Sequence, residues 1–421
     1  MNRFRVTTAF KAHNFFGVYL TLIILTVGAA AQTIDTSTVR GRISDSNNAA
    51  VSGAKVSVVN QATGLERDAV ADDDGNFTIT NLPLTGKYKI TVSGSGFADE
   101  SRSGIELRAN ETASINFNLS PQGISGEVVV LGTTDGVKTD SAELGTRLDL
   151  QKIDNTPIIG RKLTNLVQLN SAVRTARGTG DLFLNNFLFV VNGSGRRQTT
   201  FSVDGSTGND DWGRQSIFTN LPFSTVQEFT IITNPISAEF GRTAGSVVNI
   251  VTKSGTNEFR GDALFLLRPS GIQASQPLAA TRTRDELFQF SGVVSGPIIE
   301  NKTHFLLGAE SNRQRRSSVI NSSLAPNTLF DGKYKQALFF ARVDHQLNAA
   351  NTVSGRFNLE RFTDSNPADA VGGNNLPSAA RTFERDTYAA QLSETAIISS
   401  KIVNEARFQF QLGSPITQFT P

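Results

Sequence analysis

Residues that could carry out catalysis or bind a metal are few in this sequence. It contains three histidines, His13, His304 and His345, and no cysteine. The lack of cysteine excludes thiolate chemistry, cysteine-ligated zinc and disulfides. The three histidines cannot form a zinc triad, and Ser, Asp and His are not grouped as a nucleophilic triad. We therefore expect no enzymatic activity, no metal site and no cofactor.

Two short motifs invite a ligand-binding interpretation. The run Asp72-Asp73-Asp74-Gly75 has carboxylate spacing typical of calcium loops, but Phe77 stands where such a loop needs glycine. A hairpin turn built on Asp-Gly explains this run better. The segment GSGRR at 193–197 lacks the lysine and the following helix of a phosphate-binding loop, so a solvated loop is favoured.

Charge and length limit the classes of function. The chain has 421 residues, enough for several domains, and a formal net charge of +2. Basic residues are interleaved with acidic ones, so no basic stripe for nucleic acid is present.

The N-terminus is typical of an exported protein. Arg3, Arg5 and Lys11 precede an apolar run from Phe15 to Gly28. The small residues Ala29 and Ala31 follow, which predicts a signal peptide over 1–31 with cleavage before Gln32. An uncleaved interfacial anchor is the alternative.

The chain after this segment divides into three regions. Short alternating runs separated by turn residues predict an Ig-like β-sandwich over 35–121. Residues 122–253 predict a compact α+β domain, with helical spacing at Leu163–Leu169 and strands at VQEFTIITN and SVVNIVTKSG. From 254 to 421, apolar and polar residues alternate in seven segments, at 257–267, 287–295, 303–311, 336–346, 352–362, 387–397 and 403–412.

The connections between these seven segments are alternately long and short. The long ones cover 268–286, 312–335 and 363–386. Segments of about ten residues with this rhythm are typical of an outer-membrane β-barrel, whose apolar face contacts lipid. A soluble sandwich would explain the alternation but not the loop asymmetry. Seven strands cannot close a barrel, so we expect the sequence to lack later strands, and we expect this chain alone to aggregate or be degraded.

Several motifs resemble those of TonB-dependent outer-membrane receptors, in particular the Oar-like group. The sandwich, with VRGRISDSNNAAVSGAKVSVVN and DDDGNFTITNLP, resembles the carboxypeptidase regulatory-like domain that such receptors carry. NTPIIGRKLTNLVQLNSAV resembles the group's early plug motif, and VVSGPIIENKTHFLLGAE its first barrel strands. SVDGSTGND and SAEFGRTAGSVVNIVTKSGTNEFRG resemble the rest of the plug, through Asp204, Gly205, Glu239, Gly241, Arg242, Gly245, Asn249, Lys253 and Gly255.

The resemblance implies a mainly β fold: the sandwich, an α+β plug and the first strands of a barrel in the outer membrane of a Gram-negative bacterium. It also implies an extracellular ligand, contact with outer-membrane lipid, and a TonB-type energy-transducing protein that pairs with a short segment called the TonB box. The candidate box is Glu127, Val128, Val129, Val130 and Leu131, which could instead be a strand of the sandwich or the plug.

Two functions follow from this assignment. The first is uptake of a ligand, which could be an oligosaccharide, a peptide or a metal chelate. The second is a surface-interaction role, in adhesion or secretion, without active uptake. Dependence on the proton-motive force distinguishes the two.

Overall fold

The fold was analysed in a computed structural model. The structure describes residues 35–122, 144–156, 158, 161–175, 189–194, 198–209, 219–234, 243, 245–274, 281–366, 370–399 and 402–419. Several predicted site residues lie outside these ranges: Ala29, Ala31 and Gln32 of the signal peptide, Glu127, Val128, Val129, Val130 and Leu131 of the candidate box, and Glu239, Gly241 and Arg242 of the plug motif.

The first region is a β-sandwich of two sheets. In one sheet β1 pairs with β4, β7 and β8; in the other the order is β3-β2-β5-β6. Alternation creates the core, because every second residue of β5 is buried, beginning with Tyr88. The strands are β1 Ser37–Asp45, β2 Lys55–Asn60, β3 Glu66–Val70, β4 Asn76–Leu82, β5 Tyr88–Ser93, β6 Glu100–Ile105, β7 Thr112–Ser114 and β8 Phe117–Leu119.

Two details of the sandwich differ from the alternating runs in the sequence. Strands β3 and β6 are largely polar, so their pairing comes from the backbone rather than from an apolar face. The Asp72–Gly75 run is a tight turn, in which the Asp72 carboxylate accepts the N–H groups of Asp74 and Asn76 at 3.0 and 2.7 Å. It joins β3 to β4, which belong to different sheets, so the predicted hairpin is wrong although the turn is present.

The second region, here called the inner domain, is built on a five-stranded sheet of order β13-β12-β15-β14-β9. All seven residues of the central strand β15 are buried. The segment Leu163–Leu169, which has helical spacing in the sequence, forms a short 3-10 helix that buries Leu163, Leu166 and Val167. The elements are β9 Leu144–Leu148, α1 Leu150–Asn155, β10 Val173–Thr175, β11 Phe189–Val191, β12 Thr199–Val203, β13 Ser206–Thr207, β14 Val226–Asn234 and β15 Ser246–Thr252.

The third region, here called the outer sheet, is a seven-stranded antiparallel meander in sequence order. One face exposes apolar side chains such as Phe265, Phe290 and Phe408, and the opposite face buries polar ones such as Gln289 and Arg356. This confirms the predicted alternation. The strands are β16 Arg260–Arg268, β17 Asp285–Ile299, β18 Thr303–Ser322, β19 Ala325–Gln346, β20 Asn351–Ser365, β21 Arg381–Ser399 and β22 Ile402–Phe419.

The predicted long loop over 312–335 is wrong. Strands β18 and β19 continue through it as a hairpin of 20 and 22 residues joined by a two-residue turn at 323–324. A strand needs only about 9–11 residues to cross a bilayer. Beyond that length the outward face carries mainly charged and polar residues, so the apolar alternation fades while backbone pairing continues. Among the described residues, no helix is long and apolar enough to cross a membrane.

Candidate functional site

The inner domain packs against the inward face of the outer sheet. Leu306 and Phe340 of the outer sheet belong to the same buried cluster as Phe229 and Ile231 of the inner domain. Strand β18 approaches so closely at Gly308 that an added Cβ would lie 2.4 Å from the Thr225 methyl carbon. Polar contacts between the two parts flank this apolar centre and form the candidate functional site.

Asp204 lies in a two-residue turn between β12 and β13. Asp204 and Gly205 have φ angles of +44° and +73°, which suit the left-handed Asp-Gly turn of a tight hairpin. The turn directs the Asp204 carboxylate back toward β15. There it accepts the Thr252 N–H at 2.8 Å and the Thr252 hydroxyl at 2.9 Å.

Three successive strands of the outer sheet converge on Asp204. Arg356 of β20 donates from Nη1 to the carboxylate at 2.9 Å, and Nη1 of Arg342 of β19 lies 3.8 Å away. Gln391 of β21 donates to the backbone carbonyl of Asp204 at 3.0 Å. The Arg342 guanidinium is itself held by Asp344 of the same strand at 2.9 Å. This set, Asp204 with Thr252, Arg342, Arg356 and Gln391, is called the Asp204 network.

The charge on Asp204 is favoured despite its burial. Burial alone would raise the pKa of Asp204, but Arg356, Arg342 and the two Thr252 hydrogen bonds outweigh it and hold the pKa below its usual value. Asp204 is therefore an ionised group that ties the inner domain to the outer sheet.

Two carboxylates of the outer sheet make the reciprocal contacts. Glu310 of β18 accepts the Phe223 backbone N–H of the inner domain at 3.1 Å. Glu360 of β20 accepts the Asn220 side-chain amide at 2.9 Å and also pairs with Arg385 at 2.6 Å. Both carboxylates are buried. Anchoring groups therefore come from both sides of the interface.

The chain crosses from the inner domain to the outer sheet at Lys253–Phe259. The Lys253 N–H donates to the Thr225 carbonyl at 2.8 Å. Burial lowers the pKa of Lys253 below its usual value, and the nearby carboxylates of Asp154 and Asp262 offset this only in part. A Cβ at Gly255 would lie 2.4 Å from the Phe305 carbonyl oxygen, so this crossing requires glycine.

The described motif residues fall into two groups. Asp204, Gly205, Lys253 and Gly255 lie at or beyond the C-terminal end of β15, near the Asp204 network. Gly245 precedes the opposite end of β15, where an added Cβ would meet the Ser194 hydroxyl at 2.5 Å. Asn249 is buried in the middle of the same strand. The structure therefore does not gather the motif into one site.

The sandwich contacts both other regions. Arg67 donates to the Ala349 carbonyl and, at 3.2 Å, to the Thr352 hydroxyl, next to the short turn between β19 and β20. Arg147 of the inner domain bridges Glu111 of the sandwich and Glu228 at 2.5 and 3.1 Å. Burial raises the pKa of Glu228, which Arg147 partly offsets.

A cavity of about 120 Å³ lies where the three regions meet. Its lining includes Arg67 of the sandwich, Asp204 of the inner domain, and Arg342, Asp344 and His304 of the outer sheet. His304 bonds to the Asn257 amide oxygen and His345 to the Thr303 hydroxyl, both at 2.8 Å. Within the described ranges, no group of three His, Cys, Asp or Glu residues could hold a metal ion.

Sequence reasoning placed the partners of Asp204 on the polar face of their strands but did not identify their role. Arg342, Arg356 and Gln391 stand at regular alternating positions. The sequence did contain a signal that could have identified this role: charged side chains stand in the middle of strands, on the face that a barrel buries. The partner across the interface, Asp204, could not be read from strand periodicity.

Comparison with known families identifies two of the regions. A profile described as a carboxypeptidase regulatory-like domain matches residues 38–120. A profile described as an outer membrane beta barrel domain matches residues 251–337 and 327–420, which places this part of the chain in the outer membrane of a Gram-negative bacterium.

Individual proteins extend the match across the inner domain. The chain is 27% identical over 339 residues to the TonB-dependent transporter Oar of Myxococcus xanthus, covering 77% of this chain and 28% of Oar. It is 24% identical over 274 residues to the probable TonB-dependent siderophore receptor PirA of Acinetobacter baumannii, covering 58% of this chain and 34% of PirA. The chain thus spans about a third or less of these curated relatives.

A solved structure shares the fold. The outer membrane transporter YddB from Escherichia coli superposes with a TM-score of 0.51 at 11% identity, covering 65% of this chain and 39% of YddB. The mainly β fold class predicted from the sequence is confirmed, as is the resemblance that the motifs indicated.

Proposed function

We propose that this chain, a homologue of the TonB-dependent outer-membrane transporters, provides the sandwich, the plug and the first barrel strands of a receptor that takes up an extracellular ligand. The inner domain would be the plug, and the outer sheet the barrel wall that encloses it. The sandwich and the short turns would face the periplasm. The energy would come from a TonB-type protein of the inner membrane.

The observation that carries this proposal is the Asp204 network. Three strands of the wall hold Asp204 of the inner domain. Two of them contact its carboxylate, through an ion pair and a longer charge contact, and the third donates an amide hydrogen bond to its backbone carbonyl. Polar contacts of this kind can be replaced by hydrogen bonds to water when the two surfaces separate. The interface is therefore suited to release under force. A wholly apolar interface would expose apolar surface to water when it opened, which costs free energy.

The force must enter through a segment outside the described residues. We place the TonB box at Glu127–Leu131, between the sandwich and the inner domain. A box of this kind pairs by strand addition, so its backbone N–H and C=O groups supply the affinity. The proposal requires this segment to be reachable from the periplasm.

Replacement of Val129 by proline tests the placement of the box. Proline removes an N–H donor and restricts the preceding residue, so Val129→Pro should abolish pairing with the TonB-type protein. Val129→Thr retains the donor and the β-branched shape and is the matched control. A photoreactive residue at position 130 should cross-link to the TonB-type protein in the parent and in Val129→Thr, but not in Val129→Pro. Equal cross-linking in all three would move the box elsewhere.

The ligand class stays open among oligosaccharides, peptides and metal chelates. PirA is named as a probable siderophore receptor, which makes an iron chelate one candidate for this chain. Ligand choice would depend on the outer loops and the apex of the plug. No enzymatic step is proposed, because the relatives are transporters and receptors and no catalytic set stands out among the described residues.

A surface-interaction role is the second candidate, favoured by one observation. The β18–β19 hairpin runs well beyond the length needed to cross the membrane, and its two strands stay paired over this extension. Adhesion through this extension would continue when the proton-motive force is dissipated. Uptake would stop under the same treatment, so a proton uncoupler separates the two functions.

A further inference from the structure

Four cations stand together on the lipid-facing side of the outer sheet. Arg313 and Arg315 lie on β18, and Lys333 and Lys335 lie opposite them on β19. All four side chains are exposed. Their outward direction follows from the register, because the intervening residues Gln314 and Tyr334 point to the inward face. This set is called the basic ladder.

Like charges face each other directly in the basic ladder. Arg313 is opposite Lys335, and Arg315 is opposite Lys333. Direct cross-strand pairs of like charge destabilise a sheet. Within the described part of the chain, the ladder has one acidic contact, from Arg315 to Glu286 at 3.9 Å, against four positive charges. The arrangement therefore favours an anion that bridges the two strands.

The position of the ladder identifies where that anion would be. Phe305, Leu307 and Ala309 of β18 occupy the same outward face nearer the short turn, opposite Val343, Ala341 and Phe339 of β19. Arg313 lies about ten residues along β18 from its start, which is the length that crosses the hydrocarbon. The ladder thus begins where the apolar belt ends, at the membrane surface farther from the short turns.

That surface belongs to the outer leaflet, since short turns lie on the periplasmic side of such barrels. The lining of a shallow depression of about 440 Å³ includes all four cations of the basic ladder, one carboxylate, Glu286, and the apolar side chains of Phe288 and Leu267. Cations beside exposed apolar side chains match a molecule with a phosphate group and an acyl chain. A soluble partner would have to displace the lipid that already surrounds this face.

We propose that the basic ladder binds the phosphate groups of a phosphorylated glycolipid in the outer leaflet. Guanidinium and ammonium groups on adjacent strands would hold one headgroup from two sides. The bound lipid would offset the repulsion between the strands and fix the orientation of the β18–β19 hairpin. This site is separate from the Asp204 network and does not depend on the proposed uptake.

Lipid A with two phosphates is the probe for this proposal. Because seven strands alone are expected to aggregate, the chain would be produced within a complete barrel and purified in neutral-detergent micelles. It would then be titrated with lipid A, and bound lipid would be counted by native mass spectrometry. The parent should bind lipid A and should bind the dephosphorylated form much more weakly. Lys333→Gln with Lys335→Gln should weaken lipid A binding about thirtyfold, whereas Lys333→Arg with Lys335→Arg should retain it.

A matched control removes the same charge elsewhere. Lys55→Gln with Lys89→Gln changes two cations on the sandwich and should leave lipid A binding unchanged. Equal binding of phosphorylated and dephosphorylated lipid A by the parent would overturn the proposal, even if the glutamine variant failed to fold. Equal loss in the control variant, or displacement of lipid A by millimolar inorganic phosphate, would also overturn it.

Discussion

Asp204 is the residue on which the contact between inner domain and outer sheet depends most. Its carboxylate has four partners: the Thr252 N–H and hydroxyl, Arg356 and the more distant Arg342. Removal of one partner from a buried pair leaves the other charge unpaired in a region of low dielectric constant, which costs more than the pair contributes.

Substitution of Asp204 by asparagine should therefore loosen the inner domain. Asp204→Asn keeps the size of the side chain but leaves Arg356 without its carboxylate. We expect a loss of about 3 kcal/mol in the free energy of unfolding, measured by denaturant titration in micelles. Asp68→Asn, on an exposed position of β3, is the control and should change stability by less than about 0.5 kcal/mol. Equal effects of the two variants would remove Asp204 from this role.

Acid should weaken the same contact over a defined pH range. The folded pKa of Asp204 is depressed, so its contribution is complete above the ordinary aspartate pKa of about 3.9 and is lost as the pH falls through the folded pKa. Thermal stability of the parent should fall more steeply below about pH 4 than that of Asp204→Asn. Parallel pH profiles for the two proteins would contradict this prediction.

A local sequence rule accounts for the backbone geometry at Asp204, but no such rule identifies its partners. An Asp-Gly pair predicts a turn with positive φ angles, and Asp204–Gly205 form one. Arg342 and Arg356 were placed on the polar face by alternation alone. Their pairing with Asp204 depends on how two separate domains dock, which no local pattern encodes.

The crossing segment between β15 and β16 is constrained by its close contact with strand β18. It passes β18 at Gly255 with no room for a side chain. Gly255→Ala should destabilise the chain by about 1–3 kcal/mol, because the Phe305 backbone cannot move without breaking strand pairing. Gly355→Ala on β20, where nothing lies within 4 Å of an added Cβ, is the matched control and should be neutral. Similar melting temperatures for both variants would show that the crossing segment can adjust.

The sandwich should fold without the rest of the chain. Apart from Val251, every buried member of its apolar core lies between Val39 and Leu119. Residues 35–121 alone should therefore give a β-type circular dichroism spectrum and a cooperative thermal transition. A spectrum of disordered chain would mean that the contacts through Arg67 and Glu111 are required for folding.

Strands could be predicted from the sequence where the pattern of apolar residues was strong, and the prediction failed where that pattern was weak. Strands β14 and β15 were predicted because both are rich in Val, Ile or Phe, the residues typical of strands. The ends of β18 and β19 were not predicted, because the extensions lose the regular apolar alternation while their backbones remain paired. The order of the outer sheet agrees with the general rule that strands consecutive in sequence tend to be neighbours in a sheet.

At the scale of the whole molecule, the sandwich, the inner domain and the outer sheet contact one another near the short turns. Glu310 and Glu360 add contacts with the inner domain farther along the strands. The sandwich touches the turn at Ala349, the inner domain reaches the wall through Asp204, and the crossing segment passes between them. A pull on the segment that joins the sandwich to the inner domain would load these contacts together. The central claim is therefore that the inner domain is seated against the inward face of the outer sheet in the membrane.

An engineered disulfide measures this claim directly. The hydroxyl oxygens of Ser224 in the inner domain and Ser291 in β17 are 3.1 Å apart, and the natural chain has no cysteine to interfere. In outer-membrane fractions from cells that produce the chain within a complete barrel, Ser224→Cys with Ser291→Cys should form a cross-link under mild oxidation, and a reductant should reverse it. Ser57→Cys in the sandwich, combined with Ser291→Cys, should form none. Absence of the first cross-link, or equal yield from the control pair, would contradict the account.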